Sequence, residues 1–207
     1  MKALHAVAAG LLPALCAACG RSCRPGAMLC TRCARRLAAA EPLGGSGPPG
    51  LDRAWSSAPH DGVARDLVVA LKFRRLLPVA GLIAERIEWL GPADLLSGAI
   101  VPVPTARLRT LARGFDPAAE IAAALAQRTD LPLRLCLWRS GGARQVGRRR
   151  AQRIGQPPHV HLRGEAPRSV LLVDDVLTTG ATLSACARAL RGAGAIRVVA
   201  ITFTRRL

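Results

Sequence analysis

The sequence predicts an α/β domain with a mostly parallel sheet, preceded by a small cysteine module held by metal. Three observations carry this reading. Between residues 51 and 207, short apolar runs alternate with stretches of helical periodicity. Val170–Val173 is apolar throughout, the pattern of a strand covered on both faces. Five of the seven cysteines fall between Cys16 and Cys33, ahead of a stretch rich in Gly and Pro. The 207 residues are 50% apolar, which excludes a disordered chain. The formal net charge is +17, and all basic residues except Lys2 and Lys72 are arginine. Arginine's fork of donors suits planar anions, so the charge points to phosphates, nucleic acid or an acidic partner.

Residues 3–20 carry no ionisable group besides His5 and thiols, and Lys2 precedes them. A signal peptide would look similar. Pro13 and the two cysteines within the stretch argue against export, as does Leu15 where a small residue would precede a cleavage site or a lipidated Cys. The segment reads as a short amphipathic helix feeding the cysteine module, with no stable membrane insertion. The expected compartment is cytoplasmic, where thiols stay reduced.

Cys16-x2-Cys19 and Cys30-x2-Cys33 form two knuckles. Four thiolates so spaced make the closed tetrahedral site that structural Zn²⁺ prefers. Cys23 leaves the assignment of a fifth thiol open, and redox cysteines or disulfides are the alternatives. Residues 1–40 are therefore the zinc module. Residues 41–50 (EPLGGSGPPG) read as a linker, and 51–207 as the main domain. Cys136 and Cys186 read as core residues.

In the main domain, LDRAWSSA (51–58) reads as a strand. Val63, Leu67, Ala70 and Leu71 recur at helical spacing within 61–73, and 76–90 reads as a second helix. A short strand over 99–103 is stopped by Pro104. Asp116-Pro117 opens a helix reaching about Thr129, with Asp as N-cap and Pro at the first helical position. Residues 133–138 read as a strand and 139–156 as an Arg/Gly loop, partly helical in one reading. After the 170–173 strand, a helix over 180–191 ends at Gly192 and Gly194, and 195–202 is the last strand.

The most informative stretch is VLLVDDVLTTGAT, residues 170–182. An apolar strand leads to adjacent carboxylates, Asp174 and Asp175. Thr178, Thr179, Gly180, Ala181 and Thr182 then open a helix, which exposes backbone N–H groups and hydroxyls to an anion. The carboxylates can accept hydrogen bonds from vicinal hydroxyls. Phosphate plus a diol outlines a ribose 5-phosphate.

This stretch resembles the motif of type I phosphoribosyltransferases that binds PRPP, 5-phosphoribosyl 1-pyrophosphate. The chain as a whole resembles the ComF family, competence-associated proteins with a type I phosphoribosyltransferase-like fold and an N-terminal four-cysteine zinc knuckle. The resemblance includes Leu71-Lys72-Phe73, Val101-Pro102-Val103-Pro104 and Arg113-Gly114-Phe115, where Asp116 stands in place of the usual Asn. It continues through Gln145 and Arg153, with Gln156 where the family often has Asn.

The resemblance implies a pyrophosphate loop at Pro104, Thr105, Ala106 and Arg107. It implies a lid within 139–153 that includes Arg144, Gln145, Arg148 and Arg153, with a solvated loop as the alternative. It also implies Mg²⁺ bound with PRPP. One expected function is transfer of a phosphoribosyl group, with an acceptor no motif reports. The other, implied by the resemblance to ComF proteins, is a module for single-stranded DNA in DNA uptake, beside a helicase-like competence protein. A PRPP sensor without turnover is a third reading. Aromatic platforms for stacking bases are scarce, since only 3% of residues are aromatic.

Overall fold

The computed structural model describes residues 14–140 and 158–207. Of the N-terminal helix expected over residues 3–20, residues 3–13 lie outside them, and residues 14–20 form instead a bridge of Leu15 with Ser22 and a turn that brings Cys16 and Cys19 into the cluster. The lid residues Arg144, Gln145, Arg148 and Arg153 also lie outside the described residues. The elements in chain order are α1 (Thr31–Ala38), β1 (Leu43–Gly45), β2 (Arg53–Pro59), α2 (Gly62–Arg74), α3 (Pro78–Leu90), β3 (Ala99–Pro102), α4 (Arg107–Arg113), α5 (Pro117–Thr129), β4 (Leu137–Arg139), β5 (Val160–Leu162), β6 (Ser169–Leu177), α6 (Ala181–Gly192) and β7 (Arg197–Arg205). The main sheet has the order β1-β2-β7-β6-β3. Its pairs are parallel except β1 with β2.

Strand alternation builds two apolar layers from one sheet. Leu171, Val173, Val199, Ile201 and Phe203 face α2, α3 and α5. Val170, Leu172, Val198 and Ala200 face α6 on the other side. Both faces are covered, which is why 170–173 carries no polar residue.

Three differences from the sequence reading have clear physical causes. The strand expected over 133–138 makes a single bridge to β3, at Leu133 with Ile100, and then leaves the sheet. Residues 137–139 pair instead with β5 as a separate antiparallel ribbon. Strand β6 runs on past Val173 to Leu177, because β7 keeps pairing with it after β3 has ended. Within the Gly/Pro stretch, Leu43–Gly45 forms the antiparallel edge strand β1 through backbone bonds that need no apolar side chains.

The cysteine module packs on the α2/α3 side. Cys16, Ala17, Cys33 and Leu37 belong to the same buried cluster as Leu67, Leu71 and Ile83. The Arg74 guanidinium donates to the Ala17 carbonyl. Arg86 donates to the carbonyls of Ala40 (2.7 Å) and Ser57 (2.9 Å), tying the end of the module to β2.

Candidate active site and cysteine cluster

The end of β6 is where the sheet opens. Pro102 pairs with Val173, and from Asp174 onward only β7 flanks β6. A crevice outside the carboxyl ends of parallel strands is the usual ligand position in such sheets. A cavity of about 480 Å³ lies here. Asp174, Asp175, Thr178 and Thr182 line it from the β6–α6 segment, and Pro104, Thr105 and Ala106 from the loop after β3. Thr179, Gly180, Ala181 and Arg107 are not among its lining residues.

Strand alternation sends the two carboxylates to opposite faces. Asp175 turns toward α2, where Lys72 Nζ lies 2.8 Å from its Oδ2 and the aspartate is 5% exposed. Asp174 accepts the Asp175 N–H at 2.8 Å. Desolvation, and then the adjacent Asp175 carboxylate, push the Asp174 carboxyl well above the usual range. Lys72 partly offsets this. The site therefore holds an ion pair beside a carboxyl whose charge is costly until a ligand engages it.

Thr178 and Thr179 are exposed, and Gly180 is buried at the N-cap of α6 with φ +74°. A Cβ there would lie 2.3 Å from Pro48 Cγ, so the Gly/Pro stretch itself backs the turn. Left-handed backbone and a rigid proline ring both demand glycine. Gly180→Ala is expected to lower stability by more than the ~1 kcal/mol typical of an ordinary substitution, read as a drop in Tm. The Thr179 hydroxyl accepts the Ala181 N–H at 3.4 Å, while Gly180 offers no side-chain cap to the helix.

The loop after β3 is clamped by Asp116. Its Oδ2 accepts the Thr105 N–H (2.9 Å), and its Oδ1 accepts both the Thr105 hydroxyl (2.9 Å) and the Ala118 N–H (3.1 Å). One carboxylate thus caps α5 and shapes the loop. Asp116→Ala is expected to cost about 1–2 kcal/mol through the lost cap alone, measured by denaturant unfolding, and to loosen residues 104–106 in hydrogen exchange.

Sequence reasoning did not assign five cavity residues that the fold brings in. Arg109 and Arg113 come from α4, Arg65 and Lys72 from α2, and His60 from the end of β2. Arg139, at the end of β4, also lines the cavity. The Arg113 guanidinium sits 5.3 Å over the Phe73 ring at the same rim. Lys72 did carry a signal: it is one of two lysines in an arginine-dominated chain.

The cysteine cluster is separate. The Sγ atoms of Cys16, Cys19, Cys30 and Cys33 all lie within 4.8 Å of one another, with Cys19 to Cys30 at 3.8 Å. Tetrahedral Zn²⁺ with Zn–S bonds of about 2.3 Å requires sulfurs about 3.8 Å apart, so the four residues fit the ion. Cys23 is turned away and donates to the carbonyls of Ala14 (3.3 Å) and Ala27 (3.1 Å).

Among solved structures, the chain is similar to orotate phosphoribosyltransferase from Aeropyrum pernix (24% identity, 62% of this chain and 63% of that one, TM-score 0.40). It is also similar to adenine phosphoribosyltransferase from Leishmania donovani (12%, 79% and 86%, 0.41). Purine phosphoribosyltransferase from Pyrococcus horikoshii is a third neighbour (17%, 63% and 82%, 0.38). The chain thus spans 63% of the length of the Aeropyrum protein. No curated protein matches it in sequence. Residues 111–207, which hold α5, β6, the 178–182 turn, α6 and β7, match the family described as "Phosphoribosyl transferase domain", and with the mostly parallel sheet this gives the chain a phosphoribosyltransferase-type fold.

Proposed function

We propose that the cavity binds Mg²⁺-PRPP and that the chain is a ComF-type phosphoribosyltransferase-like protein with a structural zinc knuckle. The observation that carries this is the convergence, at one sheet opening, of Asp174 and Asp175 with the Thr178–Thr182 turn and the Pro104–Ala106 loop. In this reading the 5-phosphate sits on the first turn of α6, where the N-cap Gly180 brings no side-chain acceptor to the N–H groups. The ribose hydroxyls donate to the acidic pair. Mg²⁺ supplies charge neutralisation to the pyrophosphate. Arg109, Arg113 and Arg139 surround the same space and suit the pyrophosphate oxygens.

The residues' part in group transfer is positioning and charge stabilisation. Lys72 fixes Asp175, so the carboxylate meets the ligand in one orientation. Donors around the pyrophosphate stabilise charge that grows as it departs. Incubating the zinc-loaded chain with Mg²⁺-PRPP and a panel of nitrogen acceptors, scored for pyrophosphate, tests this. Release with a defined acceptor establishes transfer, saturable binding without release establishes a sensor, and no binding rejects the reading.

A single-stranded DNA role is favoured by one observation. A second cavity, lined by Arg65, Arg205 and Arg206, adjoins the first through His60. Binding through these arginines would weaken steeply with salt. Fluorescence anisotropy of labelled oligonucleotides across a salt series measures it, and Arg205→Ala with Arg206→Ala should flatten the slope. Among the described residues, no helix is long and apolar enough to cross a membrane.

A further inference from the structure

His60 follows β2 and lines both cavities. Its backbone N–H donates to the Arg205 carbonyl at 2.8 Å, which fixes it beside β7. Its Nδ1 lies 2.8 Å from the Thr204 hydroxyl oxygen. The same hydroxyl has a second acceptor within reach. The Thr204 hydroxyl oxygen also lies 3.3 Å from the Asp175 backbone carbonyl oxygen, and when its single proton goes there it accepts from the imidazole. In that arrangement Nδ1 carries the ring proton, and in the neutral ring Nε2 holds a lone pair. Nε2 has no partner among the described residues and is not among their buried unpartnered atoms.

From this geometry we infer that His60 Nε2 is the proton acceptor for the incoming nucleophile. The assignment rests on the Mg²⁺-PRPP reading of the cavity. The acceptor's nitrogen forms a bond to the anomeric carbon while the anomeric C–O bond breaks, and that electron pair leaves with pyrophosphate. The acceptor's N–H proton passes to Nε2, giving an imidazolium that returns it to solvent. The contacts from Nδ1 to Thr204 and from Thr204 to the Asp175 backbone carbonyl aim the ring and tie it to strand β6.

The surroundings keep the ring available as a base. Desolvation lowers its tendency to hold a second proton, and Arg206, Lys72 and Arg65 act in the same direction. Asp175 opposes them, but its carboxylate is paired with Lys72.

The test uses the full zinc-loaded chain. Long-range ¹H–¹⁵N spectra of the four histidines, with His60 assigned by its loss in His60→Asn, should show a neutral Nδ1–H ring at pH 7. Its Nε2 resonance should move on saturation with Mg²⁺-PRPP. Asn can still donate to Thr204 but places nothing at Nε2. A variant with wild-type Tm should therefore bind Mg²⁺-PRPP like the parent in calorimetry. Its pyrophosphate release with ammonia as the probe acceptor, at fixed pH, should fall by at least about 100-fold. A charged ring, an Nε2–H ring, or an unmoved Nε2 resonance when calorimetry shows PRPP bound would overturn the assignment. So would a parent chain that binds PRPP but releases no pyrophosphate with ammonia, or equal release by the variant. Absence of PRPP binding in calorimetry would instead reject the reading of the cavity itself.

Discussion

Chelating the metal is expected to unfold the segment from Ala14 to about Ala40 and to lower the stability of the whole domain. The segment is short and cannot supply a core of its own. Zinc binding to thiolate sites is worth about 10–16 kcal/mol in small fingers, enough to decide whether such a segment folds. The loss should spread because Cys16, Cys33 and Leu37 sit in the cluster that also holds Leu67 and Leu71. Purified, reduced protein should carry about one Zn²⁺ per chain by elemental analysis, and a thermal melt with chelator should show a lower, broader transition. Cys23→Ser should leave the metal in place, since that thiol serves two carbonyls instead. Disulfides in place of zinc would contradict the assignment.

Asp174→Asn is expected to raise stability while weakening the ligand. In the folded chain desolvation and Asp175 make the Asp174 charge costly. The native carboxyl holds its proton to higher pH than the unfolded one, whose value is about 3.9. Below that value both states are protonated, and the group's contribution to folding is fully present. As pH rises, the unfolded chain releases its proton first, so stability falls with pH until the native group has also ionised. Asn removes this dependence and can still accept the Asp175 N–H. The variant should therefore melt higher at pH 7, by a margin that narrows as pH falls. Single stabilising substitutions commonly give about 0.5–2 kcal/mol, and each kcal/mol moves Tm by about 2–4 °C in a chain of this size. Thermal melts from about pH 6 to 8, where the thiolate site keeps its zinc, check the sign.

The strand-turn-helix around 170–182 was legible because it combines a local apolar run, adjacent acids and a turn of small residues. The helices at 62–74, 78–90 and 117–129 were legible for a similar reason: their apolar faces repeat within the segment itself. The remainder depends on long-range placement. Helix α4 buries no residue, so Arg107–Arg113 gives no periodic signal, yet it delivers Arg109 and Arg113 to the cavity. His60 reaches Thr204 only because β2 pairs in parallel with β7, which places Ala58 beside Thr204. Lys72 lies on α2 and meets Asp175 only once that helix docks on the sheet. The edge strand β1 has too few apolar side chains to announce itself.

The central claim is that the opening at the end of β6 binds Mg²⁺-PRPP through its acidic pair. Titration calorimetry of the zinc-loaded chain with Mg²⁺-PRPP, beside the Asp174→Asn plus Asp175→Asn variant, tests it most directly. A hydrogen bond to a charged group is worth about 1.5–3 kcal/mol, and about 1.4 kcal/mol is tenfold in Kd. The account predicts saturable binding by the parent and at least a tenfold loss in a variant that remains folded by thermal melt. Equal affinity in the two proteins, or no binding by the parent, would contradict it.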